Sequence, residues 1–259
     1  MYKKISIIMS VYNAEDYILE SLQSLEDQTI KIYELIIAND GSTDNTDLLI
    51  KKFIKKSTIN ITYVSQENIG LTKTLNKLIE LANGDFIARM DADDISLPTR
   101  LQDSLAFMEA NNLDMLSTKA IRFNENAENI DKKPAINSNL TFVKLPFLKF
   151  GNPFIHGTFF FRKNVLKKIK YNESYKTAQD YELLCNLIKE GYKIGFLNKA
   201  LYKLRINKNS LGRNPNSSQN ENAKKIAINY FNTDKYLIIK KGKFSRLYLS
   251  IIKRIMYVR

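Results

Sequence analysis

The sequence of 259 residues predicts an α/β fold in which helices flank a mostly parallel central sheet. Short segments rich in Ile, Val and aromatic residues, which are typical of buried strands, alternate with segments whose apolar residues recur at helical spacing. This alternation indicates βαβ units, whose parallel strands are covered on both faces and connected by right-handed crossovers. A basic helical extension is predicted at the C-terminal end.

Four predicted strands, separated by helices, precede residue 91. The strands cover residues 5–11, 33–39, 59–65 and 85–90. One helical stripe comprises Ile18, Leu22 and Leu25, and another comprises Leu71, Leu75, Leu78, Ile79 and Ala82. Stripes of this spacing pack a helix against a core. Ligands of such folds bind beyond the carboxyl ends of the strands, where this sequence concentrates its polar residues.

The second half is less regular but supplies further elements. Strands are predicted at 158–162 and 192–197. Between them lies a helix whose apolar stripe is formed by Tyr181, Leu184, Cys185 and Ile188. The polar stretch 124–139 is predicted to be an exposed loop, and 207–222 a loop or linker.

Composition limits the partners and the location of the chain. A net charge of +13 favours a polyanionic partner or surface, such as nucleic acid, anionic lipid or a phosphorylated substrate. Cys185 is the only cysteine, which excludes an internal disulfide and favours a reducing compartment. Asn13 and Glu15 interrupt the N-terminal apolar run too early for a signal peptide, and no segment reaches the roughly 18 apolar residues of a spanning helix. We therefore expect a cytoplasmic protein.

Two acidic sites follow predicted strands. Asp40, before Gly41 and Ser42, is either a functional carboxylate or an ordinary residue of a strand-to-helix turn. The segment 91–94, Asp-Ala-Asp-Asp, places three carboxylates close together, which destabilises the fold unless a cation neutralises them. Such a group suits a divalent cation that bridges two phosphates, although an acidic turn that caps a helix has the same composition.

A third acidic site, Asp180, is predicted in the first turn of a helix. The helix N-terminus favours its ionised form, and an ionised carboxylate is suited to act as a general base. An isolated Asp at a helix start more often serves only the helix dipole, so the interpretation depends on its combination with the other two sites.

The combination of motifs resembles the family 2 glycosyltransferases of GT-A fold over residues 3–205. The segments that carry it are SIIMSVYNAEDYILESLQSLEDQT, ELIIANDGSTDNT, ENIGLTKTLN, GDFIARMDADD, GNPFIHGTFFFRK and AQDYELLCNL. Within that family the chain is most similar to bacterial enzymes that extend lipooligosaccharide, capsule or O-antigen chains. The resemblance implies a metal-dependent, inverting transfer of a sugar from a nucleotide-diphosphate donor, most often UDP, to a hydroxyl of a glycan or lipid-linked glycan.

The resemblance also implies roles for matching residues. The nucleotide would be bound by Val11, Tyr12, Asn13, Asp40 and Asp91. Mn²⁺ or Mg²⁺ would be held by Asp93, with Asp91 as a second candidate. Asp180 would take the proton of the acceptor hydroxyl, although Gln179 stands where relatives commonly have Glu.

Two further residues receive predicted roles. Many relatives have a histidine after the catalytic helix, where this chain has Arg205, so we expect its guanidinium to bind diphosphate oxygens. His156, the only histidine, is placed on the acceptor side by the resemblance, whereas a lone histidine is otherwise more often structural.

The resemblance divides the chain into a catalytic domain at 1–205, a linker at 206–222 and a tail at 223–259. The catalytic domain comprises a nucleotide-binding half at 1–94 and an acceptor-side half at 95–205. The end of the tail, 235–259, is basic, without acidic residues, and its apolar residues recur at helical spacing. It is predicted to lie on an anionic membrane surface at the inner face of the plasma membrane, the alternative being a helix packed on the domain.

Two other functions remain open from sequence. A nucleotidyltransferase-like enzyme would require a Gly-rich phosphate loop after the first strand, and residues 10–17 contain no glycine. A nucleic-acid-binding protein would explain the charge, but no recognised nucleic-acid-binding motif is found, so no nucleic-acid partner is expected. Neither the sugar, the acceptor, the linkage nor the oligomeric state follows from the sequence.

Overall fold

A computed structural model of the chain describes residues 3–124, 128–129, 136, 138–149, 151–206 and 218–232. Most of the predicted loop at 124–139 and of the linker at 206–222 lies outside these residues. The basic segment 235–259 lies wholly outside them, so its predicted helix and membrane contact stay predictions.

An eight-stranded mixed sheet forms the centre of the fold. Its strands are β1 (Ile5–Val11), β2 (Glu34–Asp40), β3 (Ile61–Gln66), β4 (Phe86–Asp91), β5 (Ile95–Ser96), β6 (Met115–Phe123), β7 (Phe160–Arg162) and β8 (Ile194–Arg205). Their order is β3-β2-β1-β4-β7-β6-β8-β5. The first four strands in this order are parallel to one another, and β6 is parallel to β8, whereas β7 and β5 pair antiparallel with their neighbours.

Seven helices lie among the described residues. They are α1 (Ile18–Glu26), α2 (Thr46–Ile54), α3 (Leu71–Leu81), α4 (Arg100–Ala110), α5 (Lys163–Ile169), α6 (Gln179–Lys189) and α7 (Gln219–Phe231), with 3₁₀ helices at Leu145–Leu148 and His156–Thr158. Alternate residues of β1 and β2 enter different core clusters: Ile8 and Ile36 belong to one, and Ile7 and Leu35 to the other. The sheet is therefore buried on both faces at these strands, as the alternation of strands and helices predicts.

The structure confirms the four predicted N-terminal strands to within two residues at each end. The strand predicted at 158–162 is shorter because residues 156–158 form a 3₁₀ helix. The strand predicted at 192–197 is longer and continues to Arg205, because β6 pairs with it along most of its length. Strands β5 and β6 and helix α5 were not predicted.

Helix α7 packs on α6. Its apolar residues Ala223, Ile226 and Ala227 are buried, and the first two belong to the same core cluster as residues of α6. Tyr230 of α7 also donates a hydrogen bond to Glu182 of α6 at 2.8 Å. The boundary predicted at 222–223 therefore falls inside a helix that belongs to the core. No helix in the described part of the chain is long and apolar enough to span a bilayer.

Candidate active site

The acidic sites lie at the carboxyl ends of neighbouring strands. Strand β1 lies between β2 and β4, with Val11 opposite Asn39 and Ser10 opposite Asp91. Asp40 and Asp91 therefore end strands that are two strand spacings apart, roughly 10 Å. This edge of the sheet is where an α/β fold binds ligands.

The turn after β1 presents one aromatic side chain to solvent. Val11 is fully buried in the core, whereas Tyr12 is 54% exposed. Asn13 has a left-handed backbone (φ 46°), and its side-chain oxygen accepts a hydrogen bond from the Thr43 N–H at 2.9 Å. These three residues were predicted to bind the nucleotide. The exposed ring of Tyr12 is free to stack on a base, Asn13 stabilises the turn through its hydrogen bond, and the buried Val11 could contact a nucleotide only through its backbone.

Asp40 is buried and anchors the start of α3. Its Oδ1 accepts hydrogen bonds from the Gln66 side chain (2.8 Å) and the Ile69 N–H (3.0 Å), and its Oδ2 accepts from the Gly70 N–H (2.9 Å). The carboxylate thus holds the loop between β3 and α3 against the end of β2. A polar pocket of about 720 Å³ opens beside it, lined by Asn39, Gly41, Ser42, Asp47, Lys51, Ser65, Gln66, Glu67 and Asn68.

Asp91 is paired with an arginine of its own strand. Both carboxylate oxygens of Asp91 are bound by Arg89, with Nη1 2.5 Å from Oδ2 and Nη2 bound to Oδ1. Arg89 is buried, and the Asp91 backbone N–H donates to the Tyr202 hydroxyl at 3.2 Å. A bidentate pair of this kind fixes the carboxylate and neutralises its charge.

The other two carboxylates of the segment 91–94 have different surroundings. Burial, and then the charge of Asp91, raises the pKa of the half-buried Asp93 to about 6. Asp94 is fully buried, and its Oδ1 accepts a hydrogen bond from the Arg205 N–H at 2.7 Å. Burial, followed by the charges of Asp91 and Asp93, raises the pKa of Asp94 well above its usual value. Asp94 is therefore a structural anchor of β8, and Asp93 is the carboxylate available to a ligand.

Arg205 holds the turn that contains Asp93. Its guanidinium lies between the rings of Tyr17 and Phe123, 4.6 and 4.5 Å from their centroids. Its Nε donates to the Asp93 carbonyl at 2.8 Å, and its Nη2 pairs with Glu20. The predicted contact of Arg205 with diphosphate stays a prediction. The contacts that the structure shows fix the backbone of Asp93, so Arg205 can also act on the site by positioning Asp93.

Asp180 lies near this group of charges. Helix α6 begins after Ala178, whose backbone is left-handed (φ 58°), and Asp180 is in its first turn. The Asn152 side chain donates to Asp180 Oδ2 at 2.6 Å. Burial raises the pKa of Asp180, while the Asn152 hydrogen bond and the nearby Arg89 oppose this shift. Arg89 is thus a positive charge that favours the ionised form of Asp180.

His156 is paired with a tyrosine. Its Nε2 lies 2.7 Å from the Tyr171 hydroxyl, and the two rings meet edge to face with Phe159 on the other side. Burial, and then the positive charge of Arg89, lowers the pKa of His156 well below its usual value. The imidazole is therefore neutral, and its predicted contact with the acceptor stays a prediction.

Several residues of the site were missed from sequence. They are Arg89, Arg100, Asn152, Tyr171 and Tyr202. Arg89 could have been found, because residues i and i+2 of a strand face the same side and Asp91 follows it at that spacing. The other four reach the site from distant parts of the chain.

The carboxylates fit a divalent cation that binds together with diphosphate. The described residues contain no cluster of three or more His, Cys, Asp or Glu side chains able to hold a metal. Mg²⁺ and similar cations commonly use one or two carboxylates and take their other ligands from phosphate and water. Asp93 is suited to this, since it is half-buried and its neighbour Asp91 is already bound by Arg89.

Comparison with known proteins agrees with this geometry. The family model described as glycosyl transferase family 2 matches residues 6–170. The O-antigen biosynthesis glycosyltransferase WbnJ of Escherichia coli is 33% identical over 80% of this chain and 81% of WbnJ. The amylovoran biosynthesis glycosyltransferase AmsE of Erwinia amylovora is 28% identical over 77% of this chain and 75% of AmsE.

Solved structures confirm the predicted GT-A fold. S. aureus TarS residues 1–349, crystallised in complex with UDP-GlcNAc, is 25% identical with a TM-score of 0.71. The match covers 86% of this chain but 64% of that fragment, and a longer TarS structure is covered to 37%. The mannosyltransferase PcManGT of Pyrobaculum calidifontis, solved with GDP-Man and Mn²⁺, has a TM-score of 0.66 at 15% identity and so shares the fold.

Proposed function

The chain belongs to glycosyl transferase family 2, and from this premise we propose that it transfers a sugar from a UDP donor to a hydroxyl of a bacterial surface glycan, with inversion at the anomeric carbon. The relatives WbnJ and AmsE are named for O-antigen and amylovoran biosynthesis, which supports a glycan acceptor of this class. The TarS complex with UDP-GlcNAc supports a UDP-sugar donor. Family membership disfavours the nucleotidyltransferase and nucleic-acid-binding alternatives.

The observation that supports the mechanism is the position of Asp180 in the first turn of α6, where Asn152 binds its carboxylate at 2.6 Å. In a single displacement, Asp180 takes the proton of the acceptor hydroxyl as its oxygen attacks the anomeric carbon. The bond between that carbon and the diphosphate breaks as the new glycosidic bond forms. Asp180 is part-buried, and its raised pKa makes it a stronger base than an exposed carboxylate.

The donor is proposed to lie across the carboxyl ends of β1, β2 and β4. Tyr12 and the polar pocket beside Asp40 suit the nucleobase and its hydrogen bonds. Asp91 is proposed to bind the ribose and Asp93 the cation. Mn²⁺ or Mg²⁺, when bound, would offset the charge that develops on the departing diphosphate. Arg205 supports this site by holding the Asp93 carbonyl.

The membrane contact of the basic segment 235–259 remains part of the proposal. It would bring the active site to a lipid-linked acceptor at the cytoplasmic face of the plasma membrane. Binding of the full chain to vesicles with and without anionic lipid tests it, and equal binding to both would contradict it.

The transfer reaction is tested by release of UDP from a panel of UDP-sugars, with Mn²⁺, with Mg²⁺ and with a chelator. We expect release from at least one UDP-sugar, dependent on the cation. Asp180→Asn should lower kcat by about 10² to 10⁴, as expected for loss of a positioned proton acceptor. GDP-mannose provides the control for donor class. Release that is unaffected by Asp180→Asn would remove Asp180 from the reaction, and release from GDP-mannose alone would contradict the UDP donor.

A further inference from the structure

The buried Arg89 is the strongest feature that the proposed mechanism leaves without a role. We propose that Arg89 is a positioning residue of the active site, which fixes Asp91 for the donor and places a permanent positive charge beside Asp180. This inference rests on the proposed function, in which Asp91 binds the donor and Asp180 acts on the acceptor. Arg89 would then link the two halves of the site.

The first support is the geometry of the ion pair. Arg89 and Asp91 are two residues apart on β4, so both side chains lie on the same face of the sheet. The two Nη groups bind one carboxylate oxygen each, and the arginine side chain is only 4% exposed. Lysine, a single point charge, could not hold both oxygens in this way. The pair therefore sets the orientation of the Asp91 carboxylate as well as its charge.

The second support is that the backbone under Arg89 is held from two sides. Its N–H donates to the Phe159 carbonyl at 2.9 Å, and its carbonyl accepts from Arg100 Nη2 at 2.6 Å. The same Arg100 group donates to the Gly157 carbonyl at 2.9 Å. A Cβ on Gly157 would lie 2.8 Å from Asp91 Oδ2, so this turn fits against the carboxylate only because it lacks a side chain. The pair is thus enclosed by a rigid frame.

The third support is the set of groups around Asp180. Asn152 binds its carboxylate, and its electrostatic neighbours are Arg89 on β4, Tyr171 in the segment before α6 and Cys185 on its own helix. Tyr171 keeps its proton, since burial raises its pKa, and Cys185 keeps its proton for the same reason. Arg89 is the cation among these neighbours, and its charge favours the ionised base.

A cation at this position resolves an electrostatic conflict. The site collects Asp91, Asp93 and Asp180, and it must also receive a negatively charged diphosphate. Like charges in a part-buried site repel strongly because the effective dielectric constant is lower than in water. Arg89 offsets this charge permanently, since a guanidinium paired with a carboxylate does not lose its proton. The donor can therefore approach without a large change in the protonation of the base.

Three variants of the full chain test the proposal: Arg89→Lys, Arg89→Met and the control Arg162→Met. Arg162 is a half-buried arginine on β7, next to β4, whose Nε donates to the Leu113 carbonyl at 2.8 Å. Its loss therefore perturbs the same part of the sheet without changing the site. Each variant is measured for thermal unfolding, donor KM, kcat and the pH dependence of kcat.

We expect Arg89→Lys to raise the donor KM about tenfold or more, because the bidentate, charge-assisted contact with Asp91 is reduced to a single contact from an ammonium group. It should leave the acid limb of the pH profile near that of the wild type, since the charge remains. Arg89→Met should raise KM further and move the acid limb to higher pH. Arg162→Met should lower the unfolding temperature only.

A merely structural role predicts a different pattern. If Arg89→Met and Arg162→Met both lose stability and both keep the wild-type KM and pH profile, the proposal is overturned. If Arg89→Met does not fold, the donor KM of Arg89→Lys is the deciding measurement. A donor KM equal to that of the wild type would overturn the proposal. The titration of Asp180, followed by NMR of ¹³C-carboxyl-labelled aspartate, gives a readout without turnover: it should move to higher pH in Arg89→Met. A wild-type chain that transfers no sugar would contradict the proposed function, while this titration would still test Arg89.

Discussion

Replacing Asp40 by Asn should destabilise the fold as well as weaken nucleotide binding. The buried carboxylate accepts three hydrogen bonds at 2.8–3.0 Å, two of them from backbone N–H groups at the start of α3. Asparagine keeps one acceptor oxygen, but its amide group would face the Gly70 N–H and leave that donor without a partner. An unsatisfied buried donor, or the loss of a hydrogen bond to a charged group, costs about 1–3 kcal/mol. We therefore expect a loss of about 2–3 kcal/mol.

Urea unfolding followed by circular dichroism measures this loss, and calorimetry measures UDP affinity in the absence of denaturant. Asp103→Asn is the matched control, because Asp103 forms an ion pair with the exposed Lys199 at 2.7 Å. Pairs of this kind contribute up to about 1 kcal/mol. If Asp40→Asn unfolds within about 0.5 kcal/mol of the wild type, below the cost of one buried unsatisfied donor, the anchoring of α3 by Asp40 is refuted. A change in UDP affinity alone would then leave Asp40 with the ligand role only.

Three other residues of the fold, Asp180, Gly157 and Ile226, give further measurable effects. Burial raises the pKa of Asp180, and a general base must be unprotonated, so kcat should rise with pH through an apparent pKa above the ordinary range of aspartate. An acid limb of the pH profile within the ordinary range would contradict this raised pKa. Gly157→Ala should raise the donor KM with little change in kcat, because the new methyl group would clash with the Tyr202 hydroxyl and with Asp91. Steady-state kinetics across donor concentrations measures both constants. An unchanged KM would show that the turn at Gly157 can shift without displacing Asp91. Ile226→Ala should cost about 2–4 kcal/mol in urea unfolding, since the side chain is fully buried; a neutral result would separate α7 from the core.

The sequence was a good guide to the strands that carry long apolar runs and a poor one to β6. Strand β6 contains the polar residues Ser117 and Thr118, which are buried. The Ser117 hydroxyl lies 2.7 Å from the Thr158 hydroxyl, and the Thr118 N–H donates to the same oxygen at 3.2 Å. The partner of the Ser117 hydroxyl thus lies 41 positions away in the chain. Local patterns cannot reveal it.

The same limit applies to the candidate site. Carboxylates at strand ends were predictable, because their positions follow from the strand boundaries. Which of these carboxylates is neutralised, buried or open to a ligand could not be predicted, since this depends on side chains that come into contact only in the folded chain. Arg205 illustrates this, since it was expected to bind diphosphate from its place in a motif. Its ring contacts with Tyr17 and Phe123 join segments that are far apart in the sequence.

The four carboxylates nearest the proposed reaction have four different surroundings, and this difference decides what each can do. Asp91 is neutralised by Arg89, and Asp94 is buried with a raised pKa that favours its neutral form. In the proposed reaction, Asp93 is left as the part-buried carboxylate open to a cation, and the part-buried Asp180 serves as the base. The site therefore carries less negative charge than its composition indicates. In the proposed reaction, a diphosphate with its cation can therefore enter the site without meeting four like charges, and Asp180 takes the proton of the acceptor.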